Sequence, residues 1–384
     1  MTGRPSPDSP TDSSPGSRRV PLWVAVGFLV LVNLMWGISF PLTKTINLEV
    51  DELFGIAAED ASTSLRLSAA TWLMLFRFTL ALVLFFIFFP NIVKRATTAE
   101  WKAGFQIGVF FFVGLVLQII ALATIPASRS GFLTSLVAVF TPLLTAILLR
   151  QRPHWPVIVG VATALAGVSI LTGLLVWDAG GARFASDARA AWTTGDTLTT
   201  LAAVFFAGQI MLVDYHGKRL DAAAMTPGMF ATTAVLSLVT FLVARPMIPE
   251  TATAGWFELA VQPRFWTLIV TLSVLSSVLA FNWMNTYQHY VSASQAGIIY
   301  TLEPVFASAA AMVLPGLLTV WSAIEYKNEV LVWPMVIGGS LIVAANLVSL
   351  CPRAADTSLL HPPESEPATT ADNSSPLSGS ADAS

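Results

Sequence analysis

Ten long apolar runs constrain this sequence more than any other feature, because each is near the roughly 20 residues that a helix needs to cross the hydrocarbon of a bilayer. In hydrocarbon, every backbone N–H has to find its acceptor inside its own segment, and a helix satisfies that requirement. We therefore predict an all-α integral membrane protein with about ten transmembrane helices. The predicted spans are approximately 22–43, 68–89, 103–124, 128–149, 156–177, 197–215, 226–244, 264–284, 291–314 and 331–350.

The composition agrees with a membrane protein and argues against other classes. Apolar residues make up 55% of the 384 residues and charged residues only 11%, whereas a soluble domain has roughly 25% charged residues. A net charge of −3 gives no reason to expect a nucleic-acid partner. The single cysteine excludes an intrachain disulfide. The lipid bilayer is therefore the predicted environment.

The two ends of the chain and the distribution of charge predict the orientation. Residues 1–19 and 351–384 are rich in Ser, Pro and Asp, and segments of this composition stay disordered because they have no apolar face to bury. With the N-terminus inside, eleven of the 20 Lys and Arg residues fall on the cytoplasmic side, and the opposite loops at 45–66 and 178–196 are acidic. Basic residues favour the cytoplasmic side. We predict an inner (plasma) membrane protein with both tails in the cytoplasm.

The sequence contains an internal repeat. Residues 127–136 read A-S-R-S-G-F-L-T-S-L and residues 293–302 read A-S-Q-A-G-I-I-Y-T-L, at a constant offset of 166 positions. These blocks open the fourth and the ninth span and thus mark two halves of five helices. A unit with an odd number of spans is inserted upside down in its second copy, as in many secondary transporters. We predict inverted repeats at 20–178 and 197–350, joined by an external loop at 179–196.

Five short motifs follow one another along the spans. They are Trp36 to Lys44 (W-G-I-S-F-P-L-T-K) in the first span, Leu75 to Phe78 (L-F-R-F) in the second, Gly131 to Thr134 with Thr141 to Leu144 in the fourth, Gly195-Asp196 before the sixth, and Leu302 to Phe306 (L-E-P-V-F) in the ninth. Together they resemble the EamA-like branch of the drug/metabolite transporter (DMT) superfamily over about residues 22–350. The resemblance implies a ten-helix fold with a central cavity and the export or exchange of small organic solutes.

The sequence departs from the family pattern at helix ends and loops. The fourth span ends with Leu149 to Pro153 (L-R-Q-R-P), where the family often has a Gly-Glu-Arg-like turn. The segment 315–330 after the ninth span and the insertion at 47–66 are both long. We expect these differences to affect the details of gating more than the fold.

Glu303 is the most informative single residue, because a charge inside hydrocarbon costs at least ~2.5 kcal/mol unless it is paired or hydrated. It lies near the middle of the ninth span, directly before Pro304, and a proline frees a backbone carbonyl about one turn upstream. One interpretation is a carboxylate that carries protons or binds a substrate amine in the cavity. The alternative is a buried acid, protonated or ion-paired, that fixes the packing of the helices.

Four residues of the first two spans are further candidates for substrate binding or coupling. Arg77 lies deep in the second span, where it would pair with Glu303, bind a substrate carboxylate or tie helices together, and we favour the last role. Lys44 closes the first motif at the outer end of its span, where a lysine reaches the interface easily. Trp36 and Phe40 are four residues apart and share a helix face, either for packing or to cover a substrate.

Polar side chains in other spans complete the candidate site. Asn282 and Asn285 share one face of the eighth span, where helix packing and cavity lining are equally open interpretations. Gln118, in the middle of the third span, has the same two interpretations. Tyr300 lies three residues before Glu303, so that its hydroxyl could donate a hydrogen bond to the carboxyl group across a helical turn.

The sequence contains none of the common nucleotide-binding, metal-binding or hydrolase motifs. We predict no catalytic residue, no cofactor and no metal site. The predicted function is a secondary transporter, a permease or exporter of small organic metabolites such as amino acids, driven by a gradient. Its predicted partners are a small-molecule substrate, the lipid bilayer and protons as candidate coupling ions. The alternatives are a membrane-embedded enzyme acting on lipid-like substrates and a non-transporting membrane sensor.

Overall fold

Helices form along the apolar runs. The computed structural model describes residues 20–350 apart from 58–59, 149, 151, 154, 179–180, 249–254 and 292. The two tails predicted to be disordered, 1–19 and 351–384, lie outside the described residues. The helices are α1 (Leu22–Phe54), α2 (Thr63–Phe88), α3 (Pro90–Arg95), α4 (Thr98–Thr124), α5 (Ala127–Thr134), α6 (Val137–Leu148), α7 (Trp155–Leu171), α8 (Ala188–Ala191), α9 (Thr194–Gly217), α10 (Ala222–Ala244), α11 (Gly255–Val261), α12 (Pro263–Thr271), α13 (Ala280–Tyr287), α14 (Ala293–Tyr300), α15 (Glu303–Ser322) and α16 (Trp333–Ser349).

Two other kinds of structure interrupt the α-helices. A π-helical segment, Leu272–Leu279, connects α12 directly to α13. The strands β1 (Leu175–Asp178) and β2 (Gly181–Phe184) form an antiparallel hairpin after α7. The hairpin begins inside the region predicted as the first repeat, so the loop between the repeats is longer than 179–196.

Among the described residues, eight helical stretches are long and apolar enough to cross a membrane. The two remaining apolar helices, α7 and α16, have 17 residues each, which is at the lower limit for a span. The all-α membrane architecture is confirmed, and the number of ten spans stays a prediction. The eight stretches are Leu22–Phe54, Thr63–Phe88, Thr98–Thr124, Ala127–Leu148, Thr194–Gly217, Ala222–Met247, Pro263–Tyr287 and Gln295–Ser322.

The first helix continues well beyond its predicted end. It has 33 residues and is therefore about 50 Å long. Its last turns are held by acids that meet buried or partly buried arginines, with Asp51 2.5 Å from Arg66 and Glu49 3.5 Å from Arg264. The expectation of an outer loop from residue 45 was wrong, because the arginines that hold this part of α1 come from α2 and α12.

The fourth and ninth spans are both broken, and at equivalent positions. α5 and α14 have eight residues each, and turns at 135–136 and 301–302 separate them from α6 and α15. The offset of 166 found in the sequence repeat persists across both breaks. In α15 the break coincides with Pro304, whose missing N–H is tolerated in the first turn of a new helix. Ser135 and Leu302 keep right-handed helical backbone angles, so each span remains one helical stretch with a turn of altered hydrogen bonding at its break.

Contacts between equivalent helices show that the two halves are inverted. α7 and α16 both begin with Trp-Pro. A Cβ added to Gly160 would lie 3.0 Å from the carbonyl oxygen of Ala345, and one added to Gly167 would lie 2.8 Å from that of Gly338. The two helices are therefore antiparallel. Equivalent helices that pack antiparallel are related by an axis in the membrane plane, as the repeat predicted.

The helices α2 and α10 provide a second equivalent pair with the same arrangement. Trp72 packs on Phe241 with ring centroids 4.8 Å apart, and Phe85 packs on Phe230 at 6.1 Å. The order of contacts is again antiparallel. We call the face of the bundle at which α1 begins the N face, and the opposite face, at which α1 ends, the distal face.

On the distal face, an ion pair joins the starts of α5 and α9. The Arg129 guanidinium donates to both carboxylate oxygens of Asp196, at 2.6 and 2.5 Å. Asp196 is completely buried and also closes a capping box with Thr193. The Gly195-Asp196 motif thus holds α5, which forms the first part of the fourth span, against the start of α9.

Candidate functional site

The start of α15 is held between α1 and α5 by close backbone contacts. A Cβ added to Gly37 would lie 2.7 Å from the backbone nitrogen of Ala307, and one added to Gly131 would lie 2.8 Å from the Ala307 side chain. Phe40 is buried in a cluster with Ala307 and Ala311. Small residues allow this approach between membrane helices. The break in the ninth span is therefore enclosed by helices of both repeats, and Phe40 serves this packing.

Glu303 and Asn33 lie at the same level on α15 and α1. Each is one helical turn before the crossing of Gly37 and Ala307, on the face that makes the crossing. Glu303 is partly buried and makes no hydrogen bond or ion pair with any described residue. Asn33 is completely buried; its amide nitrogen donates to the carbonyl of Leu29 at 2.7 Å, and its side-chain oxygen has no partner. Two acceptors without a donor among the described residues thus lie at one level of the bundle.

Three aromatic rings lie next to this level. Trp36 has its ring centroid 6.1 Å from that of Tyr300 and 5.8 Å from that of Phe281. The indole N–H donates to the carbonyl of Ser276 in the π-helical segment at 3.2 Å. π-Helical turns are frequent at functional sites, and this one presents a carbonyl to a side chain of another helix. Trp36 and Tyr300, both predicted site residues, are therefore brought together with Glu303.

Arg77 is used to hold helices together. It is buried, its Nε donates to the Ser277 hydroxyl at 3.0 Å, and its backbone carbonyl accepts from the Ser273 hydroxyl at 2.9 Å. Its guanidinium lies 5.2 Å from the centre of the Phe78 ring. Within the described part of the chain it has no ion pair with Glu303 or another acid. The geometry supports the structural role that the sequence favoured.

Two other predicted site residues have partners away from Glu303. The Tyr300 hydroxyl donates to the side-chain oxygen of Gln288 at 3.0 Å, so it does not make the hydrogen bond to Glu303 considered from the sequence. The Lys44 ammonium donates to the carbonyl of Ile125 at 2.5 Å, where α4 ends. Lys44 therefore lies at the distal end of the bundle, two turns beyond the aromatic rings.

The break between α5 and α6 has its own polar contacts. Gln118 donates to the Thr134 hydroxyl at 2.8 Å, and Asn346 donates to the Ser135 hydroxyl at 3.2 Å. The side-chain oxygen of Asn346 is buried without a partner. Gln118 thus stabilises the break of the fourth span and is not in contact with Glu303.

The predicted pair on the eighth span is divided between two environments. Asn285 donates to the Thr226 hydroxyl at 2.9 Å and lines a cavity of about 20 Å³ together with Gln209 and Met229. Asn282 is partly buried, and its amide makes no hydrogen bond with the described residues. Phe281 also lines this cavity, and its ring centroid lies 5.8 Å from that of Trp36.

Sequence reasoning missed Asn33, Asn346 and Ser276. Asn33 is the only polar residue between Leu29 and Met35, and Asn346 is flanked by apolar residues as well. An amide isolated in an apolar run was therefore a usable signal. Ser276 carried no such signal, because its role depends on the π-helical geometry of its own segment.

Inverted repeats with turns at equivalent positions of two spans are typical of secondary membrane transporters. The sequence model of the EamA-like transporter family matches residues 23–173 and again residues 193–350. The chain belongs to the EamA-like transporter family, which confirms the resemblance seen in the motifs. It is a multi-pass membrane protein, and its family is one of transporters, in keeping with the prediction that it is not an enzyme.

The chain is also similar to two known proteins. An uncharacterized transporter of Archaeoglobus fulgidus is 25% identical over 285 residues, which are 73% of this chain and 74% of the relative. A protein of known crystal structure aligns over 83% of this chain and 95% of its own, with 20% identity and a TM-score of 0.43. The first is named as a transporter, like the family.

Proposed function

We propose that this protein is a secondary transporter that moves small organic metabolites, such as amino acids or related amines, across the inner (plasma) membrane. The N face is in the cytoplasm, and transport is driven by a gradient, with protons as the coupling ion. Substrate and proton use one central site, at Glu303 on α15. The observation that carries this proposal is that Glu303 has no hydrogen-bond or ion-pair partner among the residues that the structure describes.

A carboxyl group in mid-membrane without a protein partner is costly unless something else compensates it. Insertion scales give at least ~2.5 kcal/mol for such a group. Arg77, the other ionisable residue in the middle of a span, is already bound to Ser277 at 3.0 Å. No described residue compensates Glu303, and the proposal places the compensation outside the chain. A proton, a hydrated pathway or a substrate cation supplies it, and each of these fits a transport site.

The paired breaks give a physical route to alternating access. Discontinuous helices in inverted repeats typically surround a site near the midplane, and one repeat moves against the other to open it to either side. Here the breaks at 135–136 and 301–302 are equivalent. The crossing of Gly131 and Ala307 brings α5 and α15, from the two repeats, together. Movement about this crossing would expose Glu303 to one face at a time.

Transport in inside-out membrane vesicles tests the proposal. Vesicles from cells that produce the protein receive an isotope-labelled mixture of the standard amino acids and common biogenic amines, with and without an acidic interior. The wild type is expected to accumulate at least one solute when the interior is acidic. Glu303→Gln removes the charge but keeps the size, so it is expected to abolish this accumulation at an unchanged amount of protein in the membrane.

Glu258→Gln is the matched control. Glu258 is an exposed acid on α11, so the same chemical change there is expected to leave accumulation intact. Glu303→Gln vesicles that accumulate solutes as the wild type does would refute the coupling role. A wild type that accumulates none of the amino acids or amines would refute the proposed substrate range.

A further inference from the structure

The polar groups around Glu303 are unequally satisfied. Each donor group already makes one hydrogen bond: an amide N–H of Asn33 bonds to Leu29 at 2.7 Å, the Trp36 indole N–H to Ser276 at 3.2 Å and the Tyr300 hydroxyl to Gln288 at 3.0 Å. The free groups are both acceptors, namely the side-chain oxygen of Asn33 and the carboxyl group of Glu303. An unsatisfied buried acceptor calls for a ligand that donates hydrogen bonds.

The aromatic rings favour the same kind of ligand. Trp36, Phe281 and Tyr300 lie with centroids 5.8 to 6.1 Å apart around Trp36. The face of an aromatic ring carries a negative partial charge and attracts cations such as ammonium groups. A carboxylate or a phosphate would meet this charge and the two free acceptors, and the carboxyl group of Glu303 would repel it when ionised.

Basic residues of the chain do not supply the missing positive charge. Arg77 is bound to Ser277, and Lys44 is bound to the carbonyl of Ile125 toward the distal face. Neither forms an ion pair with Glu303 in the described part of the chain. Arg77 and Lys44 therefore leave the carboxyl group of Glu303 without a basic partner among the described residues.

We infer that the polar and aromatic groups of Asn33, Trp36, Tyr300 and Glu303 bind the ammonium group of an organic solute, and that they select amines that keep an N–H over quaternary ammonium ions. Glu303 balances the charge, the rings cover the group, and the side-chain oxygen of Asn33 accepts one N–H. A quaternary ammonium ion has the charge but not the donor. This inference rests on the proposed function and adds the substrate class.

Four compounds with one carbon skeleton separate charge from donor capacity. Purified full-length protein is reconstituted in liposomes, and binding is measured by equilibrium dialysis with labelled 2-phenylethylamine, its N,N,N-trimethyl derivative, 2-phenylethanol and phenylacetate. The amine is expected to bind most tightly, and the trimethyl derivative about tenfold more weakly, as the loss of one hydrogen bond to a charged group implies. The alcohol and the carboxylate are expected not to bind measurably.

Substitution of Asn33 tests the donor contact. Asn33→Leu is expected to weaken binding of the amine about tenfold and to leave the trimethyl derivative unchanged, so that the difference between them disappears. Asn47→Leu is the matched control, because Asn47 is a buried amide about four turns further along α1, bonded to the carbonyl of Ile119 at 2.9 Å. It is expected to keep the wild-type preference.

The inference and the proposed function fail in different ways. Three results would overturn the inference, even if Glu303-dependent accumulation persists in vesicles. Phenylacetate could bind as tightly as the amine, the trimethyl derivative could bind as tightly as the amine, or the amine could fail to bind. Selective binding of the amine without gradient-driven accumulation would instead uphold the inference and refute the transport proposal. The comparison of the four compounds on the wild type needs no variant to fold.

Discussion

The backbone N–H of Glu329 donates to the carbonyl oxygen of Ala311 at 3.0 Å. Ala311 lies four residues before Pro315, so its carbonyl is the one that the proline leaves without a helical donor. The N–H of Glu329 therefore takes the place of the helical donor that Pro315 lacks. Residues 323–332, which we call the return segment, run back along α15 from its end at Ser322.

Further contacts hold the return segment to α15 and carry it to α5. The N–H of Gly316 donates to the side chain of Asn328 at 2.6 Å. The Glu329 carboxylate accepts from the backbone N–H of Ala127 at 2.6 Å and from the hydroxyl of Ser128. An acid at the N-terminus of a helix is stabilising. The long segment that departs from the family pattern thus closes the distal end above α5.

We predict that Glu329→Gln loosens this distal closure. The change weakens a charge-assisted contact worth about 1.5–3 kcal/mol. The ratio of open to closed molecules therefore rises roughly tenfold or more. The measurement is the rate at which a membrane-impermeant maleimide labels Leu122→Cys in a Cys351→Ala background. Leu122 is buried in the cluster with Phe40 and Ala127, so faster labelling reports opening.

Glu325→Gln is the control for this experiment. Glu325 is in the same return segment, but its side chain is 77% exposed and paired only with Lys327. In the Glu325→Gln variant, the cysteine of Leu122→Cys is expected to be labelled at the wild-type rate. Equal rates in the Glu329→Gln and Glu325→Gln variants would show that the contact with α5 does not close the distal end.

Arg77 and Ser277 are predicted to stabilise the protein as a pair. Arg77→Met and Ser277→Ala each remove one partner of the hydrogen bond between α2 and the π-helical segment. In a double-mutant cycle of thermal unfolding in detergent, the two changes are expected to be non-additive by about 0.5–3 kcal/mol. Strictly additive losses would mean that Arg77 is held by other groups.

The crossing of α7 and α16 is predicted to tolerate no side chain at Gly167. A Cβ there would lie 2.8 Å from the carbonyl oxygen of Gly338, and such overpacking typically costs about 1–3 kcal/mol. Gly167→Ala is therefore expected to lower the unfolding temperature of the purified protein. Gly27→Ala is the control, because a Cβ at Gly27 meets nothing within 4 Å. A drop of the same size in both variants would contradict the inverted crossing.

The sequence was sufficient for features that depend on local pattern. Apolar runs predicted helices, and the repeat at 127–136 and 293–302 predicted the inverted halves that the contact between Gly167 and Gly338 displays. Glu303 stood out because a charge in an apolar run is costly. These signals need no knowledge of which helices touch.

Features that depend on contacts between distant residues could not be predicted in the same way. The partner of Arg77 lies 200 positions away. The position of Asn33 at the level of Glu303 follows only from the register of α1 against α15. The helix breaks at 135–136 and 301–302 could not be predicted from the sequence, because hydropathy does not change across them. The end of α1 was hidden because the buried arginines that hold it belong to other spans.

Modification of Glu303 by dicyclohexylcarbodiimide tests the central claim most directly. This reagent enters the bilayer and reacts with carboxyl groups in apolar surroundings, and peptide mass spectrometry locates the product. We expect Glu303 to be modified in wild-type membranes, and we expect 2-phenylethylamine, but not phenylacetate, to slow the modification. A Glu303 that is never modified, or is modified at one rate whichever compound is present, would contradict a solute site at this carboxyl group.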